Sequence, residues 1–238
     1  MSELDLRSCK LESAVLEVRY KEAFLLWDRA GHVAAAIHSR LPNVVLKSAQ
    51  PASITFQLNN QIDIGFELAR SVVTHYGADF DLEQLAEVSS VVLDCVSSEL
   101  KVVDFTRVGL RVRYWKSAGS EVEASKLFPT HLLGRGLASS TIAKEAELTS
   151  AESSARWEAK GFGLLAAIRT QSRTLNINIP TQLLSDVELK TPNESFGVVQ
   201  DFDYFTKGIV SAELVRPKLW IPQGLQAIRK AHRSVTQA

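Results

Sequence analysis

Thr106-Arg107-Val108-Gly109-Leu110-Arg111-Val112-Arg113-Tyr114-Trp115 reads with a period of two. Val108, Leu110, Val112 and Tyr114 fall on one side, and Arg107, Gly109, Arg111, Arg113 and Trp115 on the other. The segment is expected to be a strand with one apolar face and one column of guanidinium groups. Each guanidinium keeps its charge, so the column must meet water, a carboxylate or an anionic ligand.

Upstream, the helix that delivers the chain to this strand is clearly written. Asp81 is the expected N-cap, Gln84 is its capping-box partner, and Phe80 can staple onto Leu85. The apolar positions Leu85, Val88, Val92, Cys95 and Val96 carry it to about Leu100. Before it, Ser53 to Leu58 and Gln61 to Leu68 alternate as strands, with Asn59-Asn60 suited to a tight hairpin. Ser71 to Tyr76 extends or follows the second of these. Ser13 to Tyr20 is a first strand, and Glu22 to Arg40 a helix that ends before Pro42.

Strand, helix, strand, strand, helix, strand is the split βαβ order of ferredoxin-like domains. The expected fold class is α+β: a ferredoxin-like unit over residues 1–117 with an antiparallel sheet and both helices on one face. The free face then carries Glu17, Arg19, Thr55, Gln57, Asp63, Glu67, Arg107, Arg111 and Arg113. First and last strands are neighbours in this topology, which puts Glu17 beside the arginine column.

Residues 118–238 read as a second, β-rich unit ending in a helix, or as a continuation of one domain. Gly119 to about Ser154 is an irregular crossover. Ala155 to Thr170 and Ser172 to Ile179 read as paired strands, Phe196 to Phe205 as another, and Lys218 to about Val235 as a helix entered at Pro217 and Pro222. Two sheets meeting by their polar faces would enclose a cleft, whereas two facing away would simply be wet.

Composition narrows the function classes. The 238 residues carry 27 Lys plus Arg against 27 Asp plus Glu, a balance that argues against a nucleic-acid partner. No apolar run approaches the roughly 20 residues that cross a bilayer, and Met-Ser-Glu-Leu-Asp-Leu-Arg is no secretion signal. The expectation is a cytoplasmic protein with no membrane partner. Cys9 and Cys95 are too far apart and too few for a disulfide framework or a thiolate metal site.

Two groups of residues could carry chemistry. Arg107, Arg111 and Arg113, with Glu17 and Arg19 nearby, could grip a phosphate or carboxylate, or form an interface through cross-strand ion pairs. Asp201 and Asp203 share a strand face, the way oxygen ligands converge on a hard ion such as magnesium. No nucleophile elbow, phosphate-binding Gly-X-X-X-X-Gly-Lys loop or dinucleotide fingerprint is present, and the five histidines form no two-histidine metal pattern. No catalytic residue is therefore assigned.

Ala14-Val15-Leu16-Glu17-Val18-Arg19-Tyr20, the Leu41-Pro42 helix exit, the Tyr76 to Leu85 junction, Arg107-Val108-Gly109-Leu110-Arg111 and Asp201-Phe202-Asp203 resemble a sporadically distributed bacterial family of unknown function. Its members are similar in an arginine–hydrophobic–Gly-Leu-Arg-Tyr strand, where this chain has Val112 in place of the tyrosine. The resemblance implies a cytoplasmic α+β protein and supplies no catalytic residues. Its patchy distribution is associated with defence or immunity. The resulting expectation is a non-enzymatic binding or interaction protein that self-associates or takes a protein partner. The alternative is a phosphorylated-ligand or nucleotide-binding protein, or a magnesium-dependent phosphoryl-transfer enzyme, using a polar cleft between two sheets.

Overall fold

The computed structural model describes residues 8–77, 79–129, 132, 148, 150–174 and 194–236, with side chains to 233 in the final helix. Strand β1 (Lys10–Arg19) buries Ala14, Leu16 and Val18 at alternate positions. Helix α1 (Leu25–Arg40) follows, with non-helical backbone angles at Arg29 and a stop at Leu41, where Pro42 disfavours further α geometry. Four strands then run as a meander: β2 (Val44–Gln50), β3 (Ser53–Leu58), β4 (Ile62–Glu67) and β5 (Arg70–Tyr76). Asn59 and Asn60 take φ of 52° and 55°, left-handed values that asparagine tolerates, and with Gln61 they make the three-residue turn between Leu58 and Ile62. Helix α2 (Leu82–Ser98) is capped as its sequence dictates, Asp81 accepting from the backbone N–H groups of Glu83 and Gln84.

The split βαβ order is thus present, with the hairpin between the helices enlarged to four strands. Strand β2 has no counterpart in the sequence reading, because only Val44 of its seven residues is buried and no alternation marks it. It is an edge strand, blunted by Lys47 and a register shift between Leu46 and Ser48. The run from Ser71 to Tyr76 is a separate antiparallel strand, paired with β4 and with β1.

A short β6 (Asp104–Phe105) leads into β7 (Arg107–Ala118), the arginine strand, and helix α3 (Glu121–Leu127) follows from a Ser120 cap. The second half adds β8 (Glu152–Glu158), β9 (Phe162–Thr174), β10 (Glu194–Thr206), β11 (Val210–Ser211) and helix α4 (Pro217–Thr236). The hairpin between β8 and β9 turns at Gly161, with φ of 89°, and not near Gln171 as alternation alone suggested. Residues 175–179 of the second expected strand lie outside the described residues.

Among the described residues the nine long strands form one antiparallel sheet of order β2-β3-β4-β5-β1-β7-β10-β9-β8, and β6 pairs with β11 in a small second sheet. The ladder between β10 and β7 crosses the boundary expected near residue 117. The large sheet is continuous, so the polar residues of both halves lie side by side on it and do not face each other across a gap between two large sheets.

Helices α1, α2 and α4 cover one face. Their Leu26, Val33, Ile37, Val92, Val96 and Ile228 join Leu16, Leu110, Val112, Phe202 and Tyr204 of the strands in one core. Gly224 of α4 lies where a Cβ would come within 2.8 Å of Leu110 Cδ2 and 2.9 Å of Tyr204 Cδ1, so a glycine lets this helix settle onto the sheet. Among the described residues no helix is long and apolar enough to cross a membrane.

Candidate functional site

The opposite face of the sheet is where the arginine column emerges. β7 lies between β1 and β10, with Glu17 directly across from Gly109 on one side and Asp203 across from Arg111 on the other. Arg107 folds back over Gly109, its Nη1 3.0 Å from where a Cβ would stand. The missing side chain at Gly109 gives the guanidinium a flat bed between two carboxylates. From there it donates to Glu17 at 3.1 Å and to Asp203 at 2.6 Å, and it lies 4.9 Å from the centre of the Phe205 ring.

The network continues in both directions along the sheet. Arg19 donates to Glu17 at 2.6 Å, and Arg70 makes a two-pronged contact with Glu67 at 2.8 and 2.7 Å. Arg111 grips Asp201 through two N–H groups, and Arg113 Nε lies 3.5 Å from the same carboxylate. On β8, Arg156 pairs with Glu158 at 2.7 Å and lies 5.5 Å from the Phe205 centroid, on the ring that Arg107 also covers.

These side chains surround a cavity of about 610 Å³. Five arginines line it, Arg19, Arg70, Arg107, Arg111 and Arg156, against two carboxylates, Glu17 and Asp203. Its floor is apolar, with Val15, Val72, Leu165 and Phe205 between the charges. Such a floor lowers the local dielectric and strengthens each charge above it. Burial raises the Asp203 carboxyl above its ordinary range, although the Arg107 guanidinium beside it works in the opposite direction. Each arginine has five N–H donors, so those already paired with a carboxylate retain donors for an incoming anion.

Of the residues expected from sequence, Glu17, Arg19, Arg107, Arg111 and Asp203 line the cavity, while Arg113 and Asp201 belong to the ion-pair network beside it. Arg70, Arg156 and Phe205 are site residues that the sequence reading did not assign. Arg70 opens a strand placed one residue too late, and Arg156 reaches the site only through the register of β8 on β9 and β9 on β10. Asp201 and Asp203 share a face as expected, yet both are engaged by arginines. Among the described residues no group of three or more His, Cys, Asp or Glu side chains is arranged to hold a metal ion. What the arrangement offers chemically is a partly apolar cavity lined by guanidinium groups, each already paired with a carboxylate and each retaining N–H donors toward a negatively charged group. No protein-family model matches the chain, and no curated protein is significantly similar to it.

Proposed function

We propose that this chain is a non-enzymatic binding protein whose open sheet face receives an anionic group. The observation that carries the reading is the convergence of five guanidinium groups, with N–H donors left over from their carboxylate pairs, above one apolar floor. Phosphate and carboxylate both fit the fork geometry of those groups, so the anion comes from a phosphorylated small molecule or from an acidic protein partner. Pairing of Asp201 and Asp203 with arginines favours this reading over magnesium-dependent phosphoryl transfer. The resemblance of the arginine strand to a bacterial family extends the proposal to a cytoplasmic protein connected with defence or immunity.

The test is native mass spectrometry of protein purified gently from its host, alongside an Arg156→Glu variant. Arg156 is the appropriate position because its side chain is 59% exposed and its partner Glu158 is also held by Lys207. Arg111→Glu is less suitable, since it would set a second carboxylate against the buried Asp201. A retained anion or a stoichiometric acidic protein, lost in Arg156→Glu with the fold unchanged, is the expected outcome. Equal recovery of bound species by both proteins, or none by the wild type, would remove the open face as the binding site.

A further inference from the structure

The two edges of the large sheet are built differently. β2 carries Lys47 and a break in register, whereas β8 runs against β9 from Glu152 to Glu158 without a shift and contains neither proline nor lysine. Among the described residues β8 has a strand on one side only. Its backbone phase is fixed at both ends: the Thr170 N–H donates to the Ala151 carbonyl at 2.9 Å, and the Ala159 N–H donates to the Phe162 carbonyl at 3.0 Å. Odd-numbered residues of β8 therefore bond to β9, and the backbone N–H and C=O groups of Glu152, Ser154, Arg156 and Glu158 point to the free edge.

The side chains of these four residues lie on the open face, where Arg156 lines the cavity. Glu152, Ser154 and Arg156 are exposed, and the two opposite charges stand equally far on either side of Ser154. An antiparallel copy of β8 laid along the edge about a two-fold axis at Ser154 would set Glu152 of each chain across from Arg156 of the other. Ser154 would then meet Ser154, in phase with the outward backbone groups. Centring the pair on Arg156 opposes two guanidinium groups, and centring it on Ala155 opposes Glu152 and Glu158. A pair centred on Trp157 overlaps only the last residues before the turn. Glu152 also lies across from Arg169 on β9, so in the Ser154-centred pair its carboxylate would sit between two guanidinium groups. On the other face Trp157, 39% exposed, would cover Ala151 of the second copy.

We infer that the occupant of the free edge is a second copy of this chain, joined by two-fold antiparallel pairing of β8 with β8. The symmetry keeps both open faces on the same side of one continuous sheet, and the blunted β2 edges end its growth at two chains. The dimer does not depend on anion binding by the open face.

Sedimentation velocity of the full-length protein, from micromolar to submillimolar concentration, is the test. The wild type should pass from monomer to dimer and no further. Ser154→Pro removes an N–H aimed at the free edge and none bonded to β9, so it should stay monomeric with an unchanged circular dichroism spectrum. Ser154 does not line the cavity, so this variant separates loss of the dimer from loss of the anion site. Glu152→Arg and Arg156→Glu should each weaken self-association about tenfold or more, since each opposes like charges twice about the axis. Mixed in equal amounts, they restore both unlike pairs and should dimerise within about threefold of the wild-type affinity. If Ser154→Pro fails to fold, this mixture decides. A wild type that stays monomeric, a folded Ser154→Pro that still dimerises, or a mixture of folded variants that fails to associate overturns the inference. Assemblies larger than a dimer overturn it too.

Discussion

Replacing Arg107 by Met keeps an unbranched stem over Phe205 and removes only the charge that bridges Glu17 and Asp203. The three side chains are between 17% and 23% exposed, intermediate between surface pairs, worth up to about 1 kcal/mol, and fully buried ones, whose breakage costs about 3–5 kcal/mol. A loss of about 2 kcal/mol at pH 7 is therefore expected, since two neighbouring carboxylates lose the cation they share. The pH dependence provides the sharper check. Burial already raises Asp203, and without Arg107 its carboxyl rises further. A carboxyl whose folded-state pKa lies above its unfolded value favours the folded state at low pH, and that contribution is lost as pH climbs through the folded pKa. The deficit of Arg107→Met should thus be largest at pH 7 and shrink toward about pH 4, near the ordinary carboxylate range. Urea unfolding followed by circular dichroism at both pH values measures it, with a midpoint shift of roughly 1 M at pH 7 for a slope near 2 kcal/mol per molar. A deficit equal at the two pH values, or below about 0.5 kcal/mol at pH 7, would refute the bridging role.

Gly109→Ala should displace Arg107 from its bed while changing stability by less than about 1 kcal/mol, because the atom displaced ends a flexible side chain; loss of anion binding with an unchanged melting curve is the expected pairing. Gly224→Ala should gain about 1 kcal/mol of helix propensity and lose about 1–3 to crowding against Leu110 and Tyr204, a net destabilisation in urea titrations. His75 is buried, and burial lowers its pKa, with Asp81 and the Tyr76 backbone opposing. Its neutral form supports the fold fully above about pH 6.5, so stability should fall as pH drops from there toward the folded-state pKa, and His75→Phe should flatten that part of the stability–pH curve. Burial pushes the Cys95 thiol up to about 12, so iodoacetamide at pH 8 should modify Cys9 in the native protein and reach Cys95 only after denaturation, as read by peptide mass spectrometry.

Local chemistry was legible where a residue's role is settled by its neighbours in sequence. Asp81 could be read as a cap because its oxygen meets N–H groups two and three residues on. Leu16 and Leu110 could be read as core because alternation fixes the buried face of a half-buried strand. Strand β2 escaped because an edge strand mostly in water has no need to alternate. The turn at Gly161 escaped because Arg156, Glu158 and Lys160 alternate with Ala155, Trp157 and Ala159 right up to it. The site was legible as a column of arginines on β7 with Glu17 beside it. Its other wall was not, since Arg156 and Phe205 arrive through the order β7-β10-β9-β8, and strand order is a property of long-range pairing.

The position of β1 between β5 and β7 has a consequence for how the chain reaches this state. Leu16 meets Val73 on one side and Leu110 on the other, so β1 finds both neighbours only much later in the chain. The β2–β5 meander, by contrast, pairs each strand with the next and closes short loops. Loop-closure entropy favours forming the local meander before the distant pairings, and high contact order makes the latter slow. On a ribosome β1 would wait unpaired while the meander assembles beside it. Both edges of β1 are covered only once the arginine strand has emerged, so the strand that builds the binding face also completes the N-terminal part of the sheet.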